Sequence, residues 1–410
     1  MDKTLLIMVM FAFTLATGVI FYGLHVPKIC NNRLWKAMVT PLSSIIGSGF
    51  LIATPLMYSL VGGWSLIAMP ILLLLAYWVG YAIRFNIMHV EPLLVRSKHE
   101  HVIRAIEILV SPALAFAYII SVTYYLKILS AFVMRAFGID DEFQANLFTT
   151  MVLFALTMIG RIDGLDVMEQ LERYAVGIKL AIIGGLLAGL MVYNIETIAL
   201  NVWMPQTQEI VWDFDLIAKL LGMFVIAQGF ETSRYLGSKY TNVERVLTMK
   251  YAQLITGCIF VTFTCLVYTL SADLVEPSGT AIIDMLDKLS PILGYIMVFA
   301  AIMSQFGAAT ADKVGCSSLV SELSEGRISI KSSFLIIGLL AIILTWTSNV
   351  FGIISLASRA FAFYYCLQTL QSCLAAYRMH DLPYRYLKIA SFAFLSVIML
   401  SISIFSLPVM

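Results

Sequence analysis

The stretch TPLSSIIGSGFLIATP, Thr40 to Pro55, decides how the chain is read. It sits inside a long apolar run, where a lipid-spanning helix finds no water to satisfy its backbone. Yet Gly47-Ser48-Gly49 falls at the centre of that run, with Pro41 and Pro55 on either side. Glycine-rich backbone at membrane depth is tolerated where it lines a cavity or is buried in protein. Two readings follow. In one, the coil unwinds from Ile46 to Phe50 and frees amide N–H groups. With the positive end of a half-helix starting near Phe50, these donors suit a carboxylate. In the other, the small residues let two helix backbones pack closely. A nucleophilic Ser48 is a third reading, but it lacks a basic partner at its depth, His89 lying at a span margin.

Composition places the whole chain in a membrane. Of 410 residues, 60% are hydrophobic and 12% charged, and the mean hydropathy is +0.90. A soluble domain of this length cannot hide so much apolar surface. The net charge of +1 gives no support for a nucleic-acid partner. The six cysteines show no CxxC spacing. Cys258, Cys265, Cys316, Cys366 and Cys373 lie in or beside apolar segments and read as small buried hydrophobes rather than disulfides or metal ligands. Met1 to Leu24 has only Lys3 as a basic residue before its apolar run and no clear cleavage site, so it reads as a retained helix.

At about 20 apolar residues per crossing, about twelve spans are expected. They lie near 4–25, 36–61, 64–88, 103–136, 145–162, 170–193, 214–236, 249–271, 291–313, 333–348, 350–377 and 387–407. One set of loops carries Lys28, Arg33 and Lys36, then Arg96, Lys98 and Arg104, then Arg161 and Arg173. The same side continues with Lys239, Arg245 and Lys250, then Arg327 and Lys331, then Arg378, Arg385 and Lys388. The opposite loops are almost bare: Val61-Gly62-Gly63 and Asn194 to Asp215 have no such residue between the spans, and Ser271 to Ser290 has only Lys288. By the positive-inside rule the basic side is cytoplasmic in a plasma (inner) membrane, and both termini face outward.

A second interruption weighs on the opening choice. GMFVIAQGFETSRYLGSKYTNVERV, Gly222 to Val246, sets Gln228, Gly229 and Glu231 inside an apolar run. Gly47 and Gly229 are 182 residues apart, about half of what remains once the first helix is set aside. Paired interruptions in corresponding positions of two halves point to a transporter's central site. The segments 103–136 and 291–323 repeat the correspondence, as do 170–193 and 350–377. Each half then holds five helices, and an odd number turns the second copy upside down. The expected organisation is an extra N-terminal helix (1–30), a first repeat (31–200), an inverted second repeat (201–380) and a C-terminal helix (381–410).

These residues resemble a known family. IIGSGF with the Gly62-Gly63 turn resembles the first helix and following loop of the amino acid–polyamine–organocation (APC) superfamily. GFETSRYLGSKYTNVERVL is similar to that family's sixth helix, with Gly229, Phe230 and Glu231 matching its GFE. Asn242 to Arg245 matches its Asn-Pro-Lys-Arg loop, with Val243 where proline is usual. DGLDVMEQLERYAVGIKLAIIGGLL resembles its fourth-to-fifth helix connection, and AATADKVGCSSLVSELSEG its eighth helix running into a loop. The resemblance covers about Arg33 to Arg378. It implies an all-α integral membrane protein of the LeuT-type five-plus-five inverted repeat, with two core helices broken at mid-membrane. The chain departs from the family pattern in the helix Thr4 to His25 before the core and in the single span after it.

The resemblance implies alternating access for a small amino acid or related amine, and no enzymatic activity. The carboxylate would meet N–H groups of Gly47 to Phe50, and the amine would meet carbonyls around Ala227, Gln228 and Gly229. Phe230 and Phe224 flank the second interruption as possible gates. Charges within the membrane are functional hypotheses by default. Glu231 either tunes the amine site or ties the broken helix to a neighbour. Lys179 matches a lysine that, in sodium-independent members, stands where relatives hold sodium; the alternative is a lysine snorkelling to the interface. Asp312 partners Lys179 or binds a cation, and it points away from Lys313 on the same helix. Tyr124 and Tyr125 lie mid-span in the third core helix, where a tyrosine either donates to a substrate carboxylate or packs as an ordinary buried aromatic. Lys127 and Arg359 need partners that sequence does not assign. His89, Glu91, His99 and His101 read as a solvated loop rather than a metal site. No cofactor is expected beyond a proton as coupling ion, with sodium less favoured; the partners are the small-molecule substrate and the bilayer. An inorganic-ion carrier and a non-transporting sensor on the same fold are the alternatives.

Overall fold

Short polar side chains start the helices. Asn32 Oδ1 accepts from the N–H groups of Leu34 and Trp35 at 2.8 and 3.3 Å, and Asp213 Oδ1 accepts from Leu216 at 2.8 Å. Asn349 accepts from Gly352 at 2.7 Å, while Ser290 and Ser329 cap their helices in the same manner. Each cap satisfies donors that a helix's first turn leaves without partners. The computed structural model describes residues 3–96, 101–139, 141–162, 165–199, 210–237, 239–271, 280–287 and 289–408. The helices that build the bundle are α1 (Lys3–His25), α2 (Arg33–Val61), α3 (Ser65–Phe85), α4 (His101–Ala136), α5 (Glu142–Ile162) and α6 (Leu165–Ala199). They continue as α7 (Phe214–Gly222), α8 (Asn242–Ser271), α9 (Pro291–Leu323), α10 (Ile330–Thr347), α11 (Val350–Arg378) and α12 (Arg385–Phe405). No strand occurs among the described residues.

By length and apolarity ten stretches suffice to cross a membrane, and one of them, Arg33–Leu94, holds both α2 and α3 around a turn. The remaining crossing is the broken one. At 1.5 Å per residue, α7 is too short to span lipid. The chain continues through a 3-10 turn (Met223–Ala227), an extended Gln228, Gly229 at φ +114° and a second 3-10 turn (Phe230–Leu236). All twelve expected spans are therefore present.

The first interruption is not. α2 is α-helical from Arg33 to Val61, so the unwinding expected at Ile46 to Phe50 is corrected. Its glycines serve close packing instead. A Cβ on Gly47 would overlap Ala308 Cβ of α9, and one on Gly49 would lie 2.7 Å from the Ile226 side chain beside the break. Pro41 and Pro55 each delete one N–H from the helical ladder without ending the helix.

α4 packs along α9 and α11, α6 along α9, and α2 along α8 and α9. The α4–α11 and α6–α9 contacts exchange with one another when α4 is matched to α9 and α6 to α11, as an inverted repeat requires. α1 lies outside this core against α6, where Gly184, Gly185 and Gly189 meet Ile20, Thr17, Phe13 and Val9. Small residues thus admit the extra helix by backbone approach. α12 covers α11 and ties to the core through Trp78 Nε1 donating to Ser391 Oγ (2.8 Å) and the Thr369–Ser396 hydroxyl pair (2.9 Å). The outward faces of α1, α10 and α12 expose Phe11, Leu15, Leu339, Ile343, Phe394 and Val397, an apolar surface fit for lipid.

Candidate functional site

Two adjacent serines of α2 meet opposite charges. The Lys179 ammonium, on α6 and 0% exposed, donates to the Ser43 carbonyl at 2.7 Å and lies 3.4 Å from its hydroxyl. Ser44 Oγ donates to Asp312 Oδ1 at 2.8 Å, and Ser121 of α4 donates to the other carboxylate oxygen. Buried charges in a low-dielectric interior persist only when hydrogen-bonded or paired. Here the bonds also fasten α2 to α6 and α9, and α9 to α4.

Ser44 reaches the second cluster as well. A Cβ on Gly229 would sit 2.5 Å from Ser44 Oγ and 2.6 Å from Ile45 N, so only glycine lets the break approach α2 this closely. Gly229 also adopts a positive φ that other residues rarely accept. Glu231 turns back to accept from Gly229 N–H at 2.8 Å, and Tyr365 of α11 donates to the same oxygen at 2.6 Å. Thr232 Oγ1 donates to Gly229 O at 2.7 Å, and Gln228 Nε2 donates to Tyr125 OH. Phe230 stacks on Tyr365 with ring centroids 5.2 Å apart, and Phe224 meets the same tyrosine edge-on at 5.8 Å. Residues from α2, α4 and α11 thus meet at one break, and Ser43-Ser44 of α2 link it to Lys179 of α6 and Asp312 of α9.

The sequence-derived candidates divide cleanly by this geometry. Gly229, Glu231, Gln228, Phe230, Lys179 and Asp312 belong to the connected cluster, with Ala227 buried at its edge. Ile46 enters only through its carbonyl, 3.5 Å from Ser304 Oγ, and Phe50 packs against Phe263 and Phe260 of α8. Gly47, Ser48 and Gly49 remain inside an intact helix. Tyr125 takes the hydrogen bond from Gln228 at the break, and Tyr124 pairs ring to ring with Tyr125. Asp312 and Lys313 do point apart, Lys313 Nζ reaching Thr157 Oγ1 of α5 at 2.5 Å.

The unassigned charges find helix ends. Lys127 Nζ donates to the carbonyls of Thr345 and Ser348, at 3.1 and 2.5 Å, where α10 terminates. Arg359 donates twice to Ser406 O, at 3.0 and 2.7 Å, just past α12. Both cations sit at the negative ends of helix dipoles, where carbonyls lack helical donors. Glu91 is no solvated loop residue: it accepts from Arg245 and lies 3.7 Å from Arg234, so that reading is corrected. His99 lies outside the described residues, and among the described residues no group of three His, Cys, Asp or Glu could hold a metal.

Arg234, at the end of the broken span, also binds Glu107 of α4 through both carboxylate oxygens, at 3.0 and 2.9 Å. Gln371 of α11 donates to the same carboxylate at 2.7 Å. This network ties the broken span to α4 and α11 at the end of the bundle that carries the basic loops. Ser44, Ser121 and Tyr365 escaped the sequence reading. The Ser43-Ser44 pair was visible as polarity in an apolar run, whereas Ser121 and Tyr365 carry no local signal.

Comparison with known proteins fits this geometry. A family model described as APC superfamily transporter matches residues 27–406. A protein of Aquifex aeolicus (strain VF5), described only as uncharacterized, is 40% identical over 362 residues, 87% of either chain. Among solved structures, the nucleobase-cation-symport-1 family transporter Mhp1, in a closed conformation with bromovinylhydantoin bound, is similar with a TM-score of 0.53. That match covers 90% of this chain and 91% of the other at 12% identity, a likeness of fold alone.

Proposed function

This chain belongs to the APC superfamily of transporters, and from that premise we propose that it carries a small amino acid or related amine by alternating access, coupled to protons rather than sodium. The observation that carries the reading is the buried, acceptor-rich surface where the break meets α2. Asp312 and Glu231 supply two carboxyl groups there, and the broken backbone adds carbonyls around Ala227 to Gly229. An ammonium is the natural guest of such a surface.

The substrate carboxylate would reach N–H groups at Ile46 to Phe50 only if α2 opened there on binding, since α2 is intact in this conformer. Tyr125 and Gln228 are the side-chain donors already in place. α2 and the broken span, with their partners α3 and α8, would rock against the frame of α4, α5, α9 and α10. Lys179, holding Ser43 from outside the moving pair, is the coupling group, and Asp312 is its counterpart on α9. The basic loops are assigned to the cytoplasm and both termini to the outside of the inner membrane.

Thermal stabilisation of the purified protein by amino acids and polyamines tests the substrate class, because stabilisation rises with ligand saturation. Uptake into liposomes under an imposed pH gradient then tests coupling. Amines should stabilise and accumulate, and Lys179→Ala should make the remaining uptake indifferent to pH. pH-independent uptake undiminished by that substitution would remove the coupling role. A second reading has its own observation: the faces of Phe224, Phe230 and Tyr365 beside Gln228 and Tyr125 suit a planar cyclic amide. Stabilisation by nucleobases or hydantoins, with none by amines, would establish it instead.

A further inference from the structure

Two turns before Lys179 on α6, Glu172 stands in the wall of a cavity at the basic end. A cavity of about 140 Å³ opens there between α2, α6 and the segment after the broken span. Lys36, Val39, Thr40, Glu172, Lys239 and Tyr240 are among its walls. Arg173 and Leu236 complete the lining. Glu172 is the buried acid of this set, 2% exposed.

The registers of two helices lead from this cavity to Lys179. On α2, Thr40 lines the cavity, and Ser43, whose carbonyl holds the ammonium, stands three residues higher on the same face, about 4.5 Å along the axis. On α6, Glu172 and Lys179 are seven residues apart, two turns, and share a face. Helical side chains lean toward their own N-terminus, so the Lys179 chain leans down α6 toward Glu172. A cavity of this volume holds several waters.

We propose that Glu172 carries protons between water at the basic end and Lys179. Protonated Glu172 gives its proton, through cavity water, to the neutral Lys179 amine, leaving a carboxylate and an ammonium. The carboxylate then takes a proton from the aqueous side, and the reverse sequence discharges the lysine. The charged and titratable groups facing this path are Lys36 from α2, Arg173 from α6, and Lys239 and Tyr240 from the segment after the break. Asp312 of α9 lies beyond Lys179 across Ser43-Ser44, and His25 of α1 meets the far side of α6 at Gly177. The inference rests on the proton-coupled reading above.

The test uses the full-length protein in liposomes with an entrapped pH dye and a 14C-labelled mixture of the twenty protein amino acids and polyamines. Wild type should accumulate label and protons together under a pH gradient. Glu172→Gln should slow gradient-driven accumulation about tenfold while leaving gradient-free exchange of label within twofold, and Glu172→Asp should recover most of the rate. Should Glu172→Gln not fold, Thr40→Leu, which fills the cavity roof, should give the same split. Full gradient-driven accumulation in Glu172→Gln, with Lys179→Ala blind to the gradient, overturns the relay and leaves the coupling reading standing. Wild-type uptake that ignores the gradient, or label that never enters, overturns both.

Discussion

Ser43 and Ser44 show how little sequence distance is needed to recruit two opposite charges. Successive residues on a helix face different neighbours, so one serine meets Lys179 of α6 and the next meets Asp312 of α9. Gly229 is the complementary residue of the other span: its positive φ and its fit against Ser44 both demand a missing side chain. Gly229→Ala should cost about 1–3 kcal/mol of stability from backbone strain alone and abolish uptake. A thermal melt and a flux assay on the same preparation check this; a variant of wild-type stability would mean the break does not hold this contact. The glycine was legible in the sequence because it stands beside Gln228 and Glu231 in an apolar run. Tyr124 and Tyr125 were legible as a pair, but which of them bonds Gln228 was not, because both offer the same chemistry and only the helical register of α4 separates them.

At the scale of elements, the interruptions that look alike in sequence behave differently. Gly47 and Gly49 stay within an unbroken α2, where Ala308 and Ile226 occupy the space their side chains would take. The Gln228–Gly229 break persists because its backbone has other partners: Glu231 for the Gly229 N–H and Thr232 for the Gly229 carbonyl. Composition could not separate these cases, since both stretches are small, polar-flecked and apolar-flanked. The broken span is also tied at its basic end, where the 3% exposed Arg234 side chain grips Glu107. Removing one partner of a buried pair costs about 3–5 kcal/mol, and Glu107 is part-exposed, so a smaller loss is expected. Glu107→Gln should loosen this end and speed modification of a Thr40→Cys reporter by a water-soluble maleimide, both made in a cysteine-free background. An unchanged labelling rate would show that the Arg234 bridge does not hold the end closed.

Across the whole molecule, the twelve crossings were legible because span length and apolarity are set by the bilayer rather than by any partner. The extra first helix was legible as a span, but its seat was not. Its place depends on Gly184, Gly185 and Gly189 of α6, which by themselves read as ordinary small residues. The basic-loop asymmetry predicts that a cysteine appended to the C-terminus reacts with an impermeant maleimide on intact cells, whereas one placed beside Arg327 does not. The opposite pattern would invert the assigned topology.

Transport in this account is movement of α2 against α6 and α9, and one cross-link tests it. A Cβ on Gly307 of α9 would lie 3.1 Å from Ser43 Oγ, a spacing that a disulfide spans. The pair Ser43→Cys and Gly307→Cys, in a cysteine-free background that transports, should lose uptake on oxidation and regain it with reductant. Undiminished uptake by the fully cross-linked protein would contradict the mechanism, because α2 would then carry substrate without leaving α9.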